Sequence, residues 1–270
     1  MPRVAPTARV SPEAVLSPGC VVGERAVVGP GCVLHAYAIV GPDTELGHGC
    51  QIHPFAVIGG DAQDRRTPPG AGRLICGAEN IFREHVTVSR GSSHGGGVTR
   101  LGSGNLLMAG AHVGHDCQLG DGITLANNVS LAGHVSIGDR VGLGGHAAVH
   151  QFARIGELAF IAANAMVSQD VPPYCLAAGD HARLYGLNIT GLRRAGFDAD
   201  LRRTLARVFK ALYAGRRPPD APHAPELTDL PDLTEVRQMV EFRTGSMRGI
   251  TPSVRPSIGH RVAVDSPGAG

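Results

Sequence analysis

Two histidines and an aspartate fall within residues 111–120, which read AHVGHDCQLG. His112 and His115 are three positions apart, and Asp116 follows His115 directly. Imidazoles can bind a metal ion, and a histidine beside a carboxylate can act as an oriented general base. A third interpretation is that these are polar residues on a solvated face. The choice depends on the elements that carry them.

A six-residue repeat surrounds this segment. Aliphatic residues occupy every sixth position over residues 4–58. The six-residue frame resumes at Cys76, Phe82 and Val88, slips by one position, and then continues with aliphatic residues over residues 101–167. This period fits neither an α-helix nor a long flat strand, but it is the period of the hexapeptide class of parallel β-helix. We therefore predict an all-β parallel β-helix over residues 1–180.

Two segments interrupt the repeat. GGDAQDRRTPPGAGR at residues 59–73 and SRGSSHGGGVTR at residues 89–100 are rich in glycine, proline, serine and arginine. Such composition is typical of loops, and loops on a rigid scaffold often carry binding groups.

The end of the chain differs in kind. Residues 181–250 are expected to form a small C-terminal α-helical domain, with one helix capped by Asp198 and a second over residues 233–243. Asp232 and Glu235 resemble a capping box for the second helix. Residues 251–270 are rich in proline, glycine and serine and are predicted to be a disordered tail.

Composition narrows the range of functions. The chain has 270 residues, 43% hydrophobic and 18% charged, with a net charge of +2, which gives no reason to expect a nucleic-acid partner. No apolar run approaches the ~20 residues of a transmembrane helix, and the first residues lack a signal-peptide core. We expect a cytoplasmic protein whose six cysteines are free thiols.

The period also predicts which polar residues meet. Three hexapeptides make one coil in this fold class, so residues 18 apart stack at about 4.8 Å. A single histidine at a corner is usually only solvated, but the stacking brings several together: His115 with Gly133 and Gln151, Asp116 with His134, and His150 beside Gln151. A metal site needs three ligands at about 2 Å from one point, whereas the His115–Asp116 pair beside Gly133 suits a general base better.

The whole chain resembles the bacterial acyl-carrier-protein–UDP-N-acetylglucosamine O-acyltransferases, which begin lipid A synthesis. The resemblance extends from residue 1 to about 250. Its most specific segments are IGGDAQD (58–64), NLLMAGAHVGHDC (105–117), LANNVSLAGHVSIGD (125–139), AVHQF (148–152), QDVPPY (169–174) and GLNITGLRRAGF (186–197).

The resemblance implies a homotrimer of left-handed β-helices with active sites between subunits, and no metal or cofactor. It implies transfer of a 3-hydroxyacyl group from acyl carrier protein to the 3-hydroxyl of the sugar in UDP-N-acetylglucosamine. In this family pattern His115 is the catalytic base, Asp116 orients it, and the N–H of Gly133 stabilises the oxyanion.

Further positions match substrate-contacting residues of the family. These are Gln63, Asp64, His112, His134, His150 and Gln151 in the cleft, Asn188 and Arg194 near the nucleotide, and Ala163 as the ruler of acyl length. Two positions depart from the pattern, since Thr190 replaces a glutamate and Ala195 an arginine. A basic patch for the acidic acyl carrier protein is expected from Arg65, Arg66, Arg83, Arg90 and Arg154.

Other interpretations stay open from the sequence alone. One is the related N-acyltransferase of the same pathway, although it carries an extra N-terminal domain. Another is a sugar acetyltransferase that uses acetyl-CoA. A zinc-dependent carbonic anhydrase or a purely structural β-helix would be a different class. The sequence does not give the acyl length or distinguish a 3-hydroxyl from a 3-amino acceptor.

Overall fold

The computed structural model describes residues 1–213 and 230–254, which form very short strands and three helices. Ten strands precede the first interruption of the repeat: β1 Arg3–Val4, β2 Arg9–Val10, β3 Val15–Leu16, β4 Val21–Val22, β5 Val27–Val28, β6 Val33–Leu34, β7 Ile39–Val40, β8 Thr44–Leu46, β9 Gln51–Ile52 and β10 Val57–Gly60.

The later strands continue the same pattern. They are β11 Arg73–Cys76, β12 Ile81–Phe82, β13 Thr87–Ser89, β14 Val98–Leu101, β15 Leu106–Leu107, β16 His112–Val113, β17 Gln118–Leu119, β18 Thr124–Leu125, β19 Ser130–Leu131, β20 Ser136–Ile137, β21 Gly142–Leu143, β22 Ala148–Val149, β23 Arg154–Ile155, β24 Phe160–Ile161, β25 Met166–Val167, β26 Cys175–Ala178 and β27 Arg183–Leu187.

The strands wind into a left-handed parallel β-helix of triangular section, as predicted. Every third strand joins the same sheet. Sheet 1 runs from β1 to β25, sheet 2 from β2 to β23, and sheet 3 from β3 to β26, and each coil contributes one strand to each sheet. The chain turns at three edges of the prism. We name each edge after the two sheets that it joins.

Stacked aliphatic residues fill the interior. In each two-residue strand the second side chain points inward, and in sheet 3 this gives a column in which successive residues pair as Cα partners. All of its members are buried: Ile52, Phe82, Leu107, Leu125, Leu143 and Ile161. The six cysteines are buried free thiols, as expected.

Both interruptions leave the coils intact. Val57 pairs with Thr87, and Thr87 pairs with His112, so the pairing resumes after each insertion. The irregular segments are residues 61–72 and 90–97, shorter than predicted, because the strands β10, β11, β13 and β14 extend into the predicted loops.

The C-terminal part is helical but begins with a strand. β27 pairs antiparallel with β26 and so extends sheet 3. Three helices follow: α1 Ile189–Arg194, α2 Ala199–Tyr213 and α3 Thr234–Thr244. Asp198 accepts from the N–H of Leu201 at 2.8 Å, as a cap of α2 should. Within the described residues no helix has the length and apolar character that a membrane span requires.

One expectation for this part was wrong. The N-cap of α3 is Leu233, which makes no side-chain cap, and Asp232 pairs with Arg237 instead of forming a capping box. In residues 251–254, where the predicted tail begins, the N–H of Thr251 donates to the carbonyl of Asp170 and that of Val254 to the carbonyl of Leu184. Residues 214–229 of the predicted helical domain and 255–270 of the predicted tail lie outside the described residues.

The inward columns predict a large cost for a cavity. Leu125→Ala should lower the free energy of unfolding by about 2–5 kcal/mol, since a buried leucine is truncated between two close-packed neighbours. Urea denaturation followed by circular dichroism measures the change. Thr124→Ala, one residue away and partly exposed, is the matched control. Equal losses in both variants would contradict the stacked-core account.

Candidate active site

The predicted histidines meet at the edge between sheets 1 and 2. The N–H of His134 donates to the carbonyl of His115 at 2.9 Å, and that of Phe152 donates to the carbonyl of Gly133 at 3.2 Å. One coil therefore lies on the next in the register that the period predicted. His115, Gly133 and Gln151 form one column of this edge, and Asp116, His134 and Phe152 form the adjacent one.

His115 and Asp116 form a hydrogen-bonded pair. The Nδ1 atom of His115 lies 2.8 Å from Oδ2 of Asp116. An ionised carboxylate can only accept, so the shared proton belongs to Nδ1 and the lone pair of the neutral imidazole lies on Nε2. Nε2 has no hydrogen-bond partner among the described residues. The His115 side chain is 16% exposed, which leaves it accessible to a substrate.

The Asp116 carboxylate is buried and surrounded by donors. Its side chain is 2% exposed. Oδ2 also accepts from the backbone N–H of Ser92 at 3.0 Å and from its hydroxyl at 2.6 Å, and Oδ1 accepts from the N–H of Gly97 at 3.0 Å. Burial acts to raise the pKa of Asp116, but hydrogen bonds from Ser92 and His115 outweigh it, so the pKa lies below its ordinary value.

Ser92 and Gly97 were missed by the sequence analysis. They lie in the segment 90–97, which is outside the repeat, so the coil period places neither of them beside Asp116. Only the serine- and glycine-rich composition of SRGSSHGGG indicated that backbone and hydroxyl donors were available there.

Gly133 lies directly against the imidazole of His115. A Cβ atom at this position would lie 2.7 Å from Cε1 and 2.8 Å from Nε2 of His115, closer than such atoms approach. The N–H of Gly133 has no acceptor among the described residues. A small residue with a free backbone donor therefore lies beside Nε2, as an oxyanion donor should.

Two other histidines of the cluster, His112 and His134, favour the neutral form. Nε2 of His134 is 3.7 Å from Oδ2 of Asp116, and its ring stacks on Phe152. Nδ1 of His112 is 2.8 Å from the hydroxyl of Thr87. Burial is the main cause that lowers the pKa of both His112 and His134. His150 is exposed, with its Nδ1 3.1 Å from the carbonyl of Gln151.

Ligand atoms of His115, Asp116 and His134 lie within 4.8 Å of one another, close enough in principle for a metal ion. However, Oδ2 of Asp116 already accepts hydrogen bonds from Ser92 and His115. A cation there would have to displace these donors. The arrangement therefore suits an oriented base better than a metal centre.

The first inserted loop approaches this cluster. The carboxylate of Asp64 accepts hydrogen bonds from Nη2 and from the backbone N–H of Arg66, each at 3.0 Å. The side-chain hydrogen bond from Arg66 is the main cause that lowers the pKa of Asp64 to about 2. The charges of Asp64 and Arg66 in turn influence the pKa of His134. The predicted sugar-contacting loop thus carries an ionised carboxylate close to the histidines, while Gln63 is exposed beside it.

Arg90 does not belong to an exposed basic patch. Its side chain is 2% exposed, bonds to Asp61 and lies 3.6 Å from Asp43, so it fixes the first inserted loop to the β-helix. Arg154 likewise has a structural contact, since it donates to the carbonyl of Gly245 at 2.8 Å and covers the ring of Phe242. The predicted patch for acyl carrier protein therefore loses Arg90, whereas Arg65, Arg66 and Arg83 stay on the surface.

The remaining predicted residues lie on other edges. Ala163 is exposed at the edge between sheets 3 and 1. Asn188 caps α1 by accepting from the N–H of Gly191 at 3.0 Å, and it donates to the carbonyl of Leu158 at 2.9 Å, at the edge between sheets 2 and 3. Arg194 is exposed at the end of α1. One copy of the chain does not bring these residues to the His115 edge.

An apolar recess lies on the outer face of sheet 1, beside the histidine cluster. Its volume is about 360 Å³. His112 and His150 line it near the edge that carries His115, Met166 lies in its wall, and Asp180 and His181 border it. Ala163 does not line it.

The fold places the chain among the hexapeptide-repeat transferases. The repeat model described as bacterial transferase hexapeptide matches residues 26–60, and the model described as UDP N-acetylglucosamine O-acyltransferase, domain 2, matches residues 170–251.

Known proteins narrow this class. The chain is 43% identical over 178 residues to the acyl-(acyl-carrier-protein)–UDP-N-acetylglucosamine O-acyltransferase of Anaeromyxobacter sp. strain Fw109-5, covering 66% of this chain and 69% of that protein. It is 46% identical over 180 residues to the protein of the same name from Syntrophobacter fumaroxidans, with the same coverage.

Solved structures agree over a longer span. LpxA from Acinetobacter baumannii has a TM-score of 0.87 at 32% identity, covering 93% of this chain and 97% of that one. The UDP-N-acetylglucosamine acyltransferase of Francisella novicida has a TM-score of 0.88 at 31% identity, covering 96% and 98%. The chain therefore belongs to the acyl-(acyl-carrier-protein)–UDP-N-acetylglucosamine O-acyltransferase family, and it is an enzyme.

Gly133→Ala should inactivate the site without unfolding the protein. The added methyl group displaces the His115 ring, and misplacement of a catalytic group by about 1 Å can cost 100-fold in rate. Steady-state kinetics measures the loss. Gly145→Ala is the matched control, because its new Cβ would make an ordinary 3.4 Å contact with Asn127. Full activity in Gly133→Ala would contradict the close packing of this glycine on the base.

Proposed function

We propose that this enzyme transfers a 3-hydroxyacyl group from acyl carrier protein to the 3-hydroxyl of the glucosamine unit in UDP-N-acetylglucosamine, the first step of lipid A synthesis. The names of its relatives supply the donor and the acceptor. The observation that carries the chemistry is the His115–Asp116 pair, which places the lone pair of the neutral imidazole on Nε2, beside Gly133.

The reaction needs one base and one oxyanion donor. Nε2 of His115 takes the hydroxyl proton while the sugar oxygen attacks the thioester carbonyl and forms a carbon–oxygen bond. The N–H of Gly133 stabilises the oxyanion. When the tetrahedral intermediate collapses, the carbon–sulfur bond breaks and the imidazolium returns its proton to the departing thiol. Asp116 stabilises the imidazolium between these steps.

The substrate contacts are proposals that follow from position and charge. The ionised Asp64 suits a sugar hydroxyl, with Gln63 beside it in the same loop. The neutral His112 and His134 and the exposed His150 and Gln151 surround the same edge. These side chains offer hydrogen-bond donors and acceptors next to the base.

The nucleotide contacts are proposed for Arg194, whose guanidinium suits a pyrophosphate, and for Asn188. The Asn188 amide already caps α1 and bonds to Leu158, so only one of its N–H groups is available to a ligand. Thr190 and Ala195 offer no charge to replace those that the family pattern has there. We therefore assign Arg194 the larger part of nucleotide binding.

We further propose a homotrimer. The base is on one edge of the prism, Ala163 on the second and Arg194 near the third, so a complete site needs more than one copy of the chain. Copies related by a three-fold axis can bring different edges together. Light scattering of the purified protein tests the proposal, and a monomer with full activity would overturn it. A cytoplasmic location is proposed from the six free, buried thiols, which match a reducing compartment.

His115→Ala should lower kcat by about 10²–10⁴-fold, because general-base catalysis is lost. The enzyme is incubated with UDP-N-acetylglucosamine and a ladder of 3-hydroxyacyl carrier proteins, and the product is followed by mass spectrometry. His48→Ala, at an exposed histidine near the N-terminal end, is the control. Acylation that persists in His115→Ala would contradict the assignment of the base, while failure of the wild-type enzyme would direct attention to the 3-amino sugar nucleotide.

The same ladder tests Ala163 as the acyl ruler. A methyl group occupies about one methylene of length in a close-packed groove. Ala163→Gly should therefore shift the preferred acyl chain longer, and Ala163→Met should shift it shorter. Met166→Ala is measured in parallel, since Met166 lines the apolar recess. A change of preference in Met166→Ala alone would assign the ruler to the recess and contradict the assignment of Ala163.

A further inference from the structure

The segment 90–97 does more than connect two coils. Its Ser92 side chain is among the buried polar groups, 1% exposed, although it lies in an inserted loop. Both the N–H and the hydroxyl of Ser92 point to the same oxygen of Asp116, at 3.0 and 2.6 Å. This is the oxygen that accepts the Nδ1 proton of His115.

The direction of the hydroxyl hydrogen bond follows from the donors present. The Ser92 oxygen accepts from the N–H of Gly95 at 3.0 Å. A hydroxyl has one hydrogen, and the ionised carboxylate of Asp116 has none to give. The hydroxyl hydrogen of Ser92 therefore points to Oδ2 of Asp116. The N–H of Gly97 restrains the other oxygen at 3.0 Å, so the plane of the carboxylate is fixed from both sides.

We propose that Ser92 is a positioning residue of the acyl transfer: its hydroxyl holds the Asp116 carboxylate in the orientation that keeps the proton of His115 on Nδ1 and the lone pair on Nε2. This inference rests on the proposed function of His115 as the base. It assigns a specific task to the second inserted loop, for which the hexapeptide repeat gives no reason.

Removal of the hydroxyl has a predictable effect on proton binding. The groups that face Asp116 are His115 and, at 3.7 Å, His134, and the charges of Asp64 and Arg66 act on His134 from the first loop. Without the Ser92 donor, Asp116 is less stabilised as an anion and attracts the proton of His115 more strongly. Both changes favour protonation of the pair. The acid limb of the activity profile should then move to higher pH.

Ser92→Ala should lower kcat by about 10- to 100-fold, the usual range for loss of a hydrogen bond to a charged group. The KM for UDP-N-acetylglucosamine should stay near the wild-type value, because Ser92 is buried and touches Asp116 rather than the surface of the cleft. The acid limb of kcat against pH should move to higher pH. Ser93→Ala, the neighbouring exposed serine, is the matched control and should leave both the rate and the limb unchanged.

Two further variants keep the test decisive. Ser92→Cys keeps a side chain of similar shape but supplies only a weak donor. It should therefore fold and show the same shift of the acid limb. It replaces Ser92→Ala in the test if thermal melting shows that Ser92→Ala is unfolded. In an Asp116→Ala background, Ser92→Ala should cause no additional loss. An unshifted acid limb in the folded variants, or a further loss in the Asp116→Ala background, would overturn the role of Ser92.

The failure of this inference and the failure of the proposed function give different results. If wild-type turnover depends on His115 but Ser92→Ala keeps the wild-type acid limb, only the role of Ser92 is wrong. If the wild-type enzyme makes no acylated sugar nucleotide, or if His115→Ala retains activity, the proposed function itself is wrong.

Discussion

The hydrogen bonding between successive coils is the interaction on which the rest of the structure depends. Most strands contain only two residues, too few to be stable alone. Stability arises because every coil pairs with the coil before and after it in all three sheets. The same pairing fixes which side chains are inward, and a slip of one residue would turn the aliphatic columns outward. The pairing between coils therefore fixes both the register of the strands and the side chains that form the core.

This constraint also builds the edge that carries the histidines. His115 and Gly133 belong to neighbouring coils. The hydrogen bond from the N–H of His134 to the carbonyl of His115 fixes one coil on the other. The imidazole can rest on the backbone of Gly133 only because that residue has no side chain. The rigid coils thus position the proposed base and the proposed oxyanion donor, the two groups that such a mechanism requires to be placed most accurately.

The inserted loops supply what the coils cannot. A regular coil offers an outward residue at each strand and each turn, but no group that encloses a carboxylate from above. The segment 90–97 brings Ser92 and Gly97 over Asp116, and Arg90 at its start fixes the first loop through Asp61. One short segment therefore connects the first inserted loop to the carboxylate of Asp116.

The sequence predicted the parts of this arrangement that follow the period. The β-helix, its two interruptions and the stacking of His115 on Gly133 all follow from aliphatic residues at every sixth position. The contact of Ser92 with Asp116 and the burial of Arg90 were not predictable, because insertions of unequal length break the period where these two residues occur. In the C-terminal part, β27 has only five residues and α1 only six, so both are too short to show a clear periodic pattern.

The electrostatics of the edge explain why several histidines can surround one carboxylate without competing for it. Nδ1 of His115 is 2.8 Å from Asp116, and Nε2 of His134 is 3.7 Å away. Burial lowers the pKa of His134 more than Asp116 raises it, and burial also lowers that of His112. Both histidines therefore stay neutral near pH 7, and the negative charge of Asp116 is left to stabilise the imidazolium of His115 alone. Because the lowered pKa values of Asp116, His112 and His134 all resist protonation, the folded edge is stabilised as the pH rises and loses that stability on acidification.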